Sequence, residues 1–365
     1  MKINYVNLEK QYKIERKHIL RVVDKTFLSG SYVGGDQISI FEKNISKICG
    51  TNYAVAMNSG TDALTIALHL LGIKRGDEVI TPPNSFIAST AVIIHLGAKP
   101  VFVDVKQDQN IDENLIEKKI TKKTKAIMPV HLTGRMCNMK KILSISKKHN
   151  IPIVEDCAQS IMSKYLNKPS GSWGEIGCFS AHPLKNLNAL GDGGYLVTNN
   201  KTLFQRAKSL INHGMENRNE ITNFGFVSRM DNIQAAILNF RLNNLNKIIN
   251  KRRKNFEIYS NNLNRNVVFF PDEKKSEFNT YHTFVIQVDK RDKLKTFLNE
   301  KGITTSIHYP IPIHLQKAYK KLFSKKENYK NVEIQAKSIL TLPINQFLKE
   351  KEIIFICKTI NKFFK

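Results

Sequence analysis

One lysine of this 365-residue chain, Lys185, lies apart from the lysine-rich helical patterns. Its neighbours in CFSAHPLKNLNALGDGG, residues 178–194, are mostly small, apolar or glycine, and the glycines permit a tight turn. A lysine among apolar neighbours loses solvation of its charged form, which lowers its pKa and frees the amine for imine formation. A partly exposed loop lysine is the alternative, and Lys185 alone does not decide between the two.

Asp156 is the second candidate, because it follows the apolar run IPIV and Glu155. This position predicts a carboxylate at the inner end of a central strand, where an unpaired charge is expensive to bury. A protonated ring nitrogen of a cofactor is one candidate partner, and a helix cap or an internal salt bridge is the alternative. Gln159, three residues further on, either bonds a cofactor hydroxyl or lies on the surface.

The motif NSGTDAL predicts an anion site at the start of a helix. It places Ser59, Gly60 and Thr61 where free backbone N–H groups and the helix dipole favour an anion, and glycine lets a phosphate come close. Ser180 is a further candidate donor to a phosphate. The alternatives are an ordinary helix cap with Asp62 in the first turn, and a backbone-bonded serine at a strand end.

Phe86 and several histidines complete the candidate residues. Phe86 either lies flat against an aromatic cofactor ring or packs in the core. The histidines are interpreted as substrate lining or structure, because their spacing lacks the H-x-x-x-H and H-E-x-x-H patterns of zinc sites; they are His131, His182, His308 and His314. No metal is therefore expected.

The elements that must position these side chains alternate from about residue 50 onward. Apolar or β-branched runs are followed by segments of helical period, as YAVAM is by SGTDALTIALHLLG. This alternation predicts an α/β fold, with a three-layer large domain and a mainly parallel sheet over residues 1–240, a range that includes an N-terminal arm. In such folds ligands collect beyond the carboxyl ends of the strands, where the candidate side chains fall.

After about residue 240 the pattern changes to a long basic helical stretch, NNLNKIINKRRKNFEIYSNNL. Strands are predicted at TYHTFVIQV and ITTSIHYPIPIH, with a helix near DKLKTFLNEKG between them and a terminal helix at KEIIFICKTINKFF. These elements predict a smaller α+β C-terminal domain over residues 241–365.

The formal net charge of +26 raises nucleic-acid binding as a function. The lysines are scattered along nearly every segment, as in KKITKKTK, and arginine, the better base reader, is the minority cation. This distribution favours a solvated surface over a nucleic-acid interface. A basic surface also attracts anionic small substrates.

The start of the chain, MKINYVNLEKQYKIERKH, has no apolar core of the signal-peptide type, and no later run approaches the roughly 18 apolar residues of a membrane helix. A cytoplasmic protein without a membrane partner is expected. The cysteines have no paired spacing and are expected to be reduced and mostly in the core. They are Cys49, Cys137, Cys157, Cys178 and Cys357.

A series of motifs occurs in one order along nearly the whole chain. They are NSGTDAL, TPPNSFIAST, PVHLTGR, EDCAQS, GCFSAHPLKNLNALGDGG, GFVSRMDNIQAAI and IHYPIPIHLQKAY. In this combination the chain resembles the DegT-type sugar aminotransferases, a family of fold-type I pyridoxal-phosphate (PLP) enzymes. The resemblance implies PLP, pyridoxal 5'-phosphate, as the cofactor.

The resemblance implies a role for each candidate. Lys185 would form the imine with the cofactor aldehyde, and Asp156 would keep the pyridinium nitrogen protonated, which makes the ring an electron sink. Gln159 would lie by the ring hydroxyl and Phe86 on the ring face. The phosphate would be held by Ser59, Gly60, Thr61 and Ser180.

The implied reaction moves an amine from an amino acid, usually glutamate, to a keto sugar that is normally linked to a nucleoside diphosphate. Lys185 would carry the proton as general base and acid. The substrate side is assigned to His182, His308 and Tyr309. The resemblance also implies a homodimer with the site at the subunit interface, and a role in amino-sugar and surface-polysaccharide synthesis.

Two positions depart from the family pattern. Val227 stands where many relatives have the Asn of G-x-N-x-R, which often contacts the phosphate from the partner subunit. Arg229 and Ser228 are the candidate substitutes, and we favour Arg229. Asp192 replaces Glu in the common GEGG and keeps its charge. Two alternative functions stay open. One is a same-fold sugar dehydratase, although the relatives with that activity have histidine in place of Lys185. The other is a catalytically silent PLP-binding regulatory protein.

Overall fold

The chain begins with two helices, α1 (Leu8–Leu28) and α2 (Asp36–Cys49), ahead of the first strand. The structure, a computed structural model, describes residues 2–323 and 327–365. Asn7 caps α1 by accepting a hydrogen bond from the Lys10 amide, and Gly50, at a φ of +63°, ends α2 in the left-handed conformation. These helices correspond to the predicted N-terminal arm.

Residues 53–262 contain the predicted alternation of strands and helices. Its first part is β1 (Tyr53–Met57), α3 (Gly60–Leu70), β2 (Glu78–Thr81), α4 (Ile87–His95), β3 (Lys99–Phe102), α5 (Glu113–Ile116), β4 (Thr124–Ile127) and α6 (Met139–His149). Its second part is β5 (Val154–Asp156), β6 (Lys164–Tyr165), β7 (Lys168–Pro169), β8 (Ile176–Ser180), β9 (Gly194–Thr198), α7 (Lys201–Leu210), β10 (Met215–Asn217), β11 (Glu220–Ile221) and α8 (Asn232–Asn262). The predicted alternation, beginning with the strand at YAVAM and the helix at SGTDALTIALHLLG, is confirmed.

A four-stranded and a three-stranded sheet join into one central sheet with the order β3-β2-β4-β5-β8-β9-β1. Parallel bridges from Ile127 to Ile153 and from Val130 to Asp156 connect β4 to β5. β9 is antiparallel to both of its neighbours, β8 and β1, whereas the remaining pairs are parallel. The predicted mainly parallel sheet is therefore confirmed.

The two faces of the central sheet enter different hydrophobic cores. Along β1, Val55 and Met57 pack in the core that contains α3 and α7, whereas Ala54 and Ala56 pack in the core that contains α2 and α8. Successive strand residues point to opposite faces, so helices must cover both sides of the sheet. This arrangement is the predicted three-layer architecture.

The C-terminal part has a hydrophobic core of its own. Phe256, Ile286, Leu340 and Ile360 pack together there, and Ile3 joins them from the beginning of the chain. The elements of this part are β12 (Glu277–Phe278), β13 (Phe284–Gln287), α9 (Arg291–Glu300), α10 (Lys317–Leu322), α11 (Lys330–Ser338), β14 (Ile339–Leu342) and α12 (Glu350–Phe363).

Helix α8 is 31 residues long and passes through residue 240 without a break. The division into domains at residues 1–240 and 241–365 consequently stays a proposal, with the separate C-terminal core as its support. Among the helices of the described residues, α8 included, none combines the length and the apolar character that crossing a membrane requires.

The prediction of a strand at ITTSIHYPIPIH is wrong. This segment makes only single bridges, from Ser306 to Thr341 and from Ile303 to Ile3. Its two prolines, Pro310 and Pro312, lack the N–H that a strand donates to its neighbour. The partner of β13 is instead β14, which pairs with it in antiparallel register.

Gly194 begins β9 where this strand passes close to the start of α3. A Cβ at this position would lie 2.2 Å from the Ser59 carbonyl carbon and 2.4 Å from the Gly60 nitrogen. Both of these are backbone atoms, so neither can move aside as the end of a side chain does. Glycine at this position therefore allows the Ser59–Gly60 backbone to lie against the sheet.

We expect Gly194→Ala to lower the free energy of unfolding by about 3 kcal/mol, because the added methyl group over-packs this contact. Denaturant titration of the variant and the parent measures the difference. Gly193→Ala is the matched control, since its Cβ would lie 3.3 Å from its nearest neighbour, the Ala181 Cβ. We expect the control to cost less than about 1 kcal/mol; equal stabilities of Gly194→Ala and the parent would contradict the close packing.

Candidate active site

A cavity of about 450 Å³ lies beyond the carboxyl ends of β1, β2, β5 and β8. This volume is within the range of small-molecule binding sites. The predicted site residues that line it are Ser59, Gly60, Thr61, Phe86, Asp156, Gln159, Ser180, His182, Lys185, His308 and Tyr309. The structure therefore brings together nearly all of the residues that the sequence singles out.

Lys185 lies in a turn beyond β8 that is closed by a 2.8 Å hydrogen bond from its own amide to the His182 carbonyl. Its side chain is partly buried. Burial lowers the pKa of Lys185 to about 8, and the Asp156 carboxylate limits this lowering. Within residues 2–323 and 327–365, no carboxylate oxygen lies within 4.0 Å of the Lys185 Nζ. The environment favours the free amine.

Asp156 ends β5, and its side chain is buried. One carboxylate oxygen accepts a 2.7 Å hydrogen bond from the Ser89 hydroxyl, and the other accepts a 3.1 Å bond from the Ala158 amide. In the described part of the chain, no lysine, arginine or histidine nitrogen comes within 4.0 Å of it. An internal salt bridge therefore does not account for this buried carboxylate.

The start of α3 combines both interpretations of the NSGTDAL motif. Ser59 caps the helix by accepting a 3.0 Å hydrogen bond from the Asp62 amide, as the capping alternative predicts. The same residues also line the cavity. A Cβ at Gly60 would lie 2.7 Å from the Ser180 Cβ and 2.9 Å from the Ser180 Cα, so glycine allows the start of α3 to pack directly against the end of β8. Backbone N–H groups at such a helix start favour a bound anion.

Two aromatic rings and an amide lie near Asp156 in the cavity wall. Phe86 is 56% exposed, which excludes the core position considered for it, and its ring centre lies 6.0 Å from that of Tyr309. Gln159 accepts a 2.7 Å hydrogen bond from the Thr133 amide, which leaves its NH₂ group as a donor. Burial raises the pKa of Tyr309 to about 12, so its hydroxyl stays protonated.

The candidate histidines have separate environments. His182 is exposed at the cavity, whereas His308 is more buried. Burial, helped by the charge of Lys185, lowers the pKa of His308 to about 4, so its ring is neutral near pH 7. His314 lies outside the cavity lining and bonds Glu333 at 3.0 Å.

His131, Glu155 and Cys157 form the buried group that most resembles a metal site in the described residues. The His131 Nε2 lies 2.9 Å from a Glu155 oxygen, and its Nδ1 accepts from a backbone amide. The Glu155 carboxylate also accepts hydrogen bonds from the amides of Gly171, Trp173 and Gly174. These bonds occupy the ligand atoms of His131 and Glu155, so we interpret the group as structural.

Several cavity residues are not predicted from the sequence: Tyr5, Ser89, Asp192, Arg252, His282 and Asn345. The parallel bridge between Ile3 and Ile303 positions Tyr5 at the cavity. The Asn345 side chain donates a 3.1 Å hydrogen bond to the Tyr5 carbonyl. Ser89 follows Phe86 by one helical turn. Its place beside a predicted strand end is the only signal that could have found it.

Arg229 lies outside the cavity lining of its own chain. Its guanidinium donates a 2.9 Å hydrogen bond to the Asn212 side chain. Val227 is 60% exposed and bridges to Asn212, while the neighbouring Ser228 bonds Asp62 at 2.7 Å. The predicted phosphate contact of Arg229, which concerns the partner's cavity, stays a prediction.

The sequence pattern of the DegT/DnrJ/EryC1/StrS aminotransferase family matches residues 13–361. The chain belongs to this family. The solved structures that are similar to this chain include one in a PLP form and one with bound pyridoxamine phosphate, the aminated form of the cofactor. The predicted family, enzyme class, fold-type I architecture and PLP cofactor are confirmed.

Three relatives of this DegT-type chain match nearly its full length. A Geobacillus stearothermophilus protein named pleiotropic regulatory protein is 36% identical and covers 100% of this chain and 99% of its own. The dTDP-3-amino-3,6-dideoxy-α-D-galactopyranose transaminase of Aneurinibacillus thermoaerophilus is 36% identical, over 95% of this chain and 96% of its own. The structure of S. venezuelae DesV with a ketimine intermediate has a TM-score of 0.96 at 33% identity. The match covers 99% of this chain and 98% of the DesV chain.

The cavity of this DegT-type chain offers a group for each part of PLP. Lys185 presents an amine of lowered pKa, Asp156 presents a buried carboxylate without a cationic partner, and Phe86 presents an exposed ring. Gly60 packs against Ser180 at the start of α3, and both residues line the cavity. These four features fit an aldehyde, a ring nitrogen, a ring face and a phosphate.

We expect Lys185 of the cofactor-free protein to react with an amine-specific reagent with a pH midpoint near 8, because its pKa lies below the ordinary 10.5. Labelling should fall as the pH drops through 8, where the amine becomes protonated. Peptide mass spectrometry measures the labelling rate at this residue, with denatured protein as the reference.

Asp156→Asn provides the control for this measurement. The carboxylate raises the pKa of Lys185, so its removal should move the midpoint further down. A midpoint near 10.5 in the folded protein would show that the amine is solvated and would contradict its burial.

Proposed function

We propose that this DegT-family aminotransferase moves an amino group from glutamate to a nucleotide-linked keto sugar. The reaction would serve amino-sugar and surface-polysaccharide synthesis. One observation carries the proposal. A lysine amine of lowered pKa, a buried carboxylate that forms no salt bridge with the described residues, and the start of helix α3 share a single cavity. Amine exchange on a cofactor with an aldehyde, a ring nitrogen and a phosphate needs these three together.

The cofactor-binding roles follow from the positions of the side chains. The phosphate would be held by the residues that line the cavity at the start of α3 and the end of β8, which are Ser59, Gly60, Thr61 and Ser180. Phe86 would cover a ring face through its exposed side chain. Gln159, which also lines the cavity, would donate its NH₂ group to the ring hydroxyl.

When bound, PLP supplies an aldehyde for amine exchange and a ring that stabilises negative charge on the substrate carbon. Asp156, whose carboxylate accepts a hydrogen bond from the Ser89 hydroxyl, would keep the ring nitrogen protonated. Lys185 accepts a proton at its Nζ and returns it, which its lowered pKa allows near neutral pH. His308 contributes hydrogen bonds without adding a charge.

The acceptor side of the proposal is supported by the relatives. The 36% identical transaminase is named for a dTDP-linked amino sugar. We assign contacts with the sugar to His182, His308 and Tyr309, which line the cavity and offer polar atoms. The basic surface that follows from a net charge of +26 would attract the anionic nucleotide.

A homodimer belongs to the same proposal. Ile221, Phe224 and Val227 are 63%, 99% and 60% exposed in one segment, and large apolar side chains left in solvent mark interaction surfaces. This segment would meet the partner's cavity, where Arg229 takes the phosphate contact that Val227 cannot make. The cytoplasmic location also remains a proposal, in keeping with the buried thiols of all five cysteines.

We expect the cofactor-linked absorbance of the purified protein to bleach when glutamate is added and to return with a suitable keto-sugar nucleotide. Lys185→Ala should lower the transfer rate about a thousand-fold, because it removes the proton carrier. Lys201→Ala, at an exposed lysine of α7, is the matched control and should behave like the parent. ¹⁵N-labelled glutamate and mass spectrometry of the sugar product measure the transfer.

The alternatives give different results in the same experiment. A sugar that loses water while the label stays on glutamate would indicate the dehydratase. The full-length relative named as a regulatory protein favours a second candidate, a PLP-binding protein without turnover. That candidate predicts stable cofactor absorbance with every amino acid, together with salt-sensitive nucleic-acid binding.

A further inference from the structure

Arg252 of α8 is a buried cation in the wall of the cavity and has no role in the cofactor chemistry. Its side chain is 7% exposed, and it lines the cavity together with Lys185. One terminal nitrogen donates to the carbonyls of Tyr281 and His282 at 3.1 Å, and the other donates to the Gln346 side chain at 3.2 Å. These three acceptors are all neutral.

The charge of Arg252 is therefore not compensated by the protein. In the described residues no carboxylate oxygen lies within 4.0 Å of its guanidinium, and its Nε has no acceptor. Burial lowers the pKa of Arg252 to about 10, with Tyr5 opposing the change, so the group stays charged near neutral pH. A buried charge of this kind is costly unless an anion reaches it.

The charged groups of the cavity lining leave Arg252 unmatched when the cofactor is bound. The lining contains Lys185 and Arg252 as cations and Asp156 and Asp192 as carboxylates. Lys185 and Asp156 would be engaged by the cofactor, and Asp192 is exposed. Arg252 is thus the interior cation that remains for a substrate anion.

Two neutral groups with polar atoms surround this cation. Burial raises the pKa of Tyr5 well above its usual value, while the positive charge of Arg252 acts to lower it, so the two groups lie within electrostatic reach. Burial, and then the charges of Lys185 and Arg252, keep the pKa of His282 well below its usual value. His308 faces the same region, with a pKa near 4, so none of the surrounding rings carries a competing charge.

We propose that Arg252, with the Tyr5 hydroxyl and the His282 imidazole, binds the α-carboxylate of the amino-acid donor. This inference rests on the proposed aminotransferase function and assigns its donor subsite. Arginine is suited to the task because its planar guanidinium matches the two oxygens of a carboxylate.

The α-carboxylate fits this position better than the diphosphate of the acceptor does. It is attached to the same carbon that carries the transferred nitrogen, so it must lie close to Lys185. His282 interacts with both Arg252 and Lys185. Its carbonyl accepts a hydrogen bond from Arg252, and burial and then the positive charge of Lys185 lower the pKa of its ring. A diphosphate is separated from the keto carbon by part of the sugar ring and carries a nucleoside, which the 7% exposed Arg252 has little room to admit.

The test measures binding without turnover. 2-Methylglutamate lacks the hydrogen on Cα, so it occupies the donor site without amine transfer, and its dissociation constant follows from the change in cofactor absorbance. We expect Arg252→Gln to weaken its binding about 30-fold through loss of a charge-assisted hydrogen-bonded pair. Tyr5→Phe should weaken it about 5-fold. Consumption of keto-sugar nucleotide by the pyridoxamine-loaded enzyme should fall by a smaller factor than the binding of 2-methylglutamate does in both variants.

Arg253→Gln is the matched control on the same helix. Its guanidinium bonds Glu273 at 2.6 Å and the Asn279 carbonyl at 2.9 Å, outside the cavity lining. This variant should bind 2-methylglutamate like the parent. If Arg252→Gln does not hold the cofactor, Arg252→Lys and Tyr5→Phe replace it, and the lysine variant should bind about 10-fold more weakly because the planar fork is lost.

Wild-type affinity for 2-methylglutamate in the Arg252 and Tyr5 variants would overturn the donor subsite. So would a selective loss of keto-sugar nucleotide binding, which would assign Arg252 to the diphosphate. The proposed function fails by a different result: a parent protein that holds PLP and exchanges its amine with no amino acid. A second readout is the preference for glutamate over 4-aminobutyrate, which lacks the α-carboxylate. This preference should shrink about 30-fold in Arg252→Gln.

Discussion

The site depends on one amine and one carboxylate that share a cavity without forming an ion pair. Asp156 ends β5 and Lys185 follows β8, and these are neighbouring parallel strands whose carboxyl ends meet at the cavity. A direct contact would satisfy both charges and raise the pKa of the lysine. Instead, Ser89 and the Ala158 amide bond the carboxylate, and burial lowers the pKa of Lys185 to about 8. Both groups remain available to a ligand.

Much of this arrangement is predictable because its parts are local in sequence. Parallel strands place the residues that follow them at one edge of a sheet, so locating the strand ends was enough to group Ser59, Asp156 and Lys185. The start of α3 follows in the same way from a serine that caps the next helix. The individual roles, such as that of Gln159 beside a ring hydroxyl, came from the family resemblance and not from the spacing.

The remaining parts depend on contacts between distant segments, which no local pattern contains. Tyr5 lies at the cavity because Ile3 forms a bridge with Ile303, which is distant from it in the sequence. Arg252 lies in the basic run KRRKNFE, which has the composition of a solvated helix face, and only the fold distinguishes it from Arg253. The misplaced strand has the same cause, since β14 is identified as the partner of β13 by pairing and not by composition.

A chain with a net charge of +26 must limit the positive charge that it buries. The buried Arg241 is paired with Glu15 at 2.7 Å, and burial keeps the pKa of His282 and His308 low enough for both rings to be neutral. Arg252 is the exception, because neutral acceptors alone surround it. A protein that otherwise pairs or neutralises its interior cations has a reason to leave this one unmatched. Binding of an anionic substrate provides such a reason, because it supplies the missing charge where the protein does not.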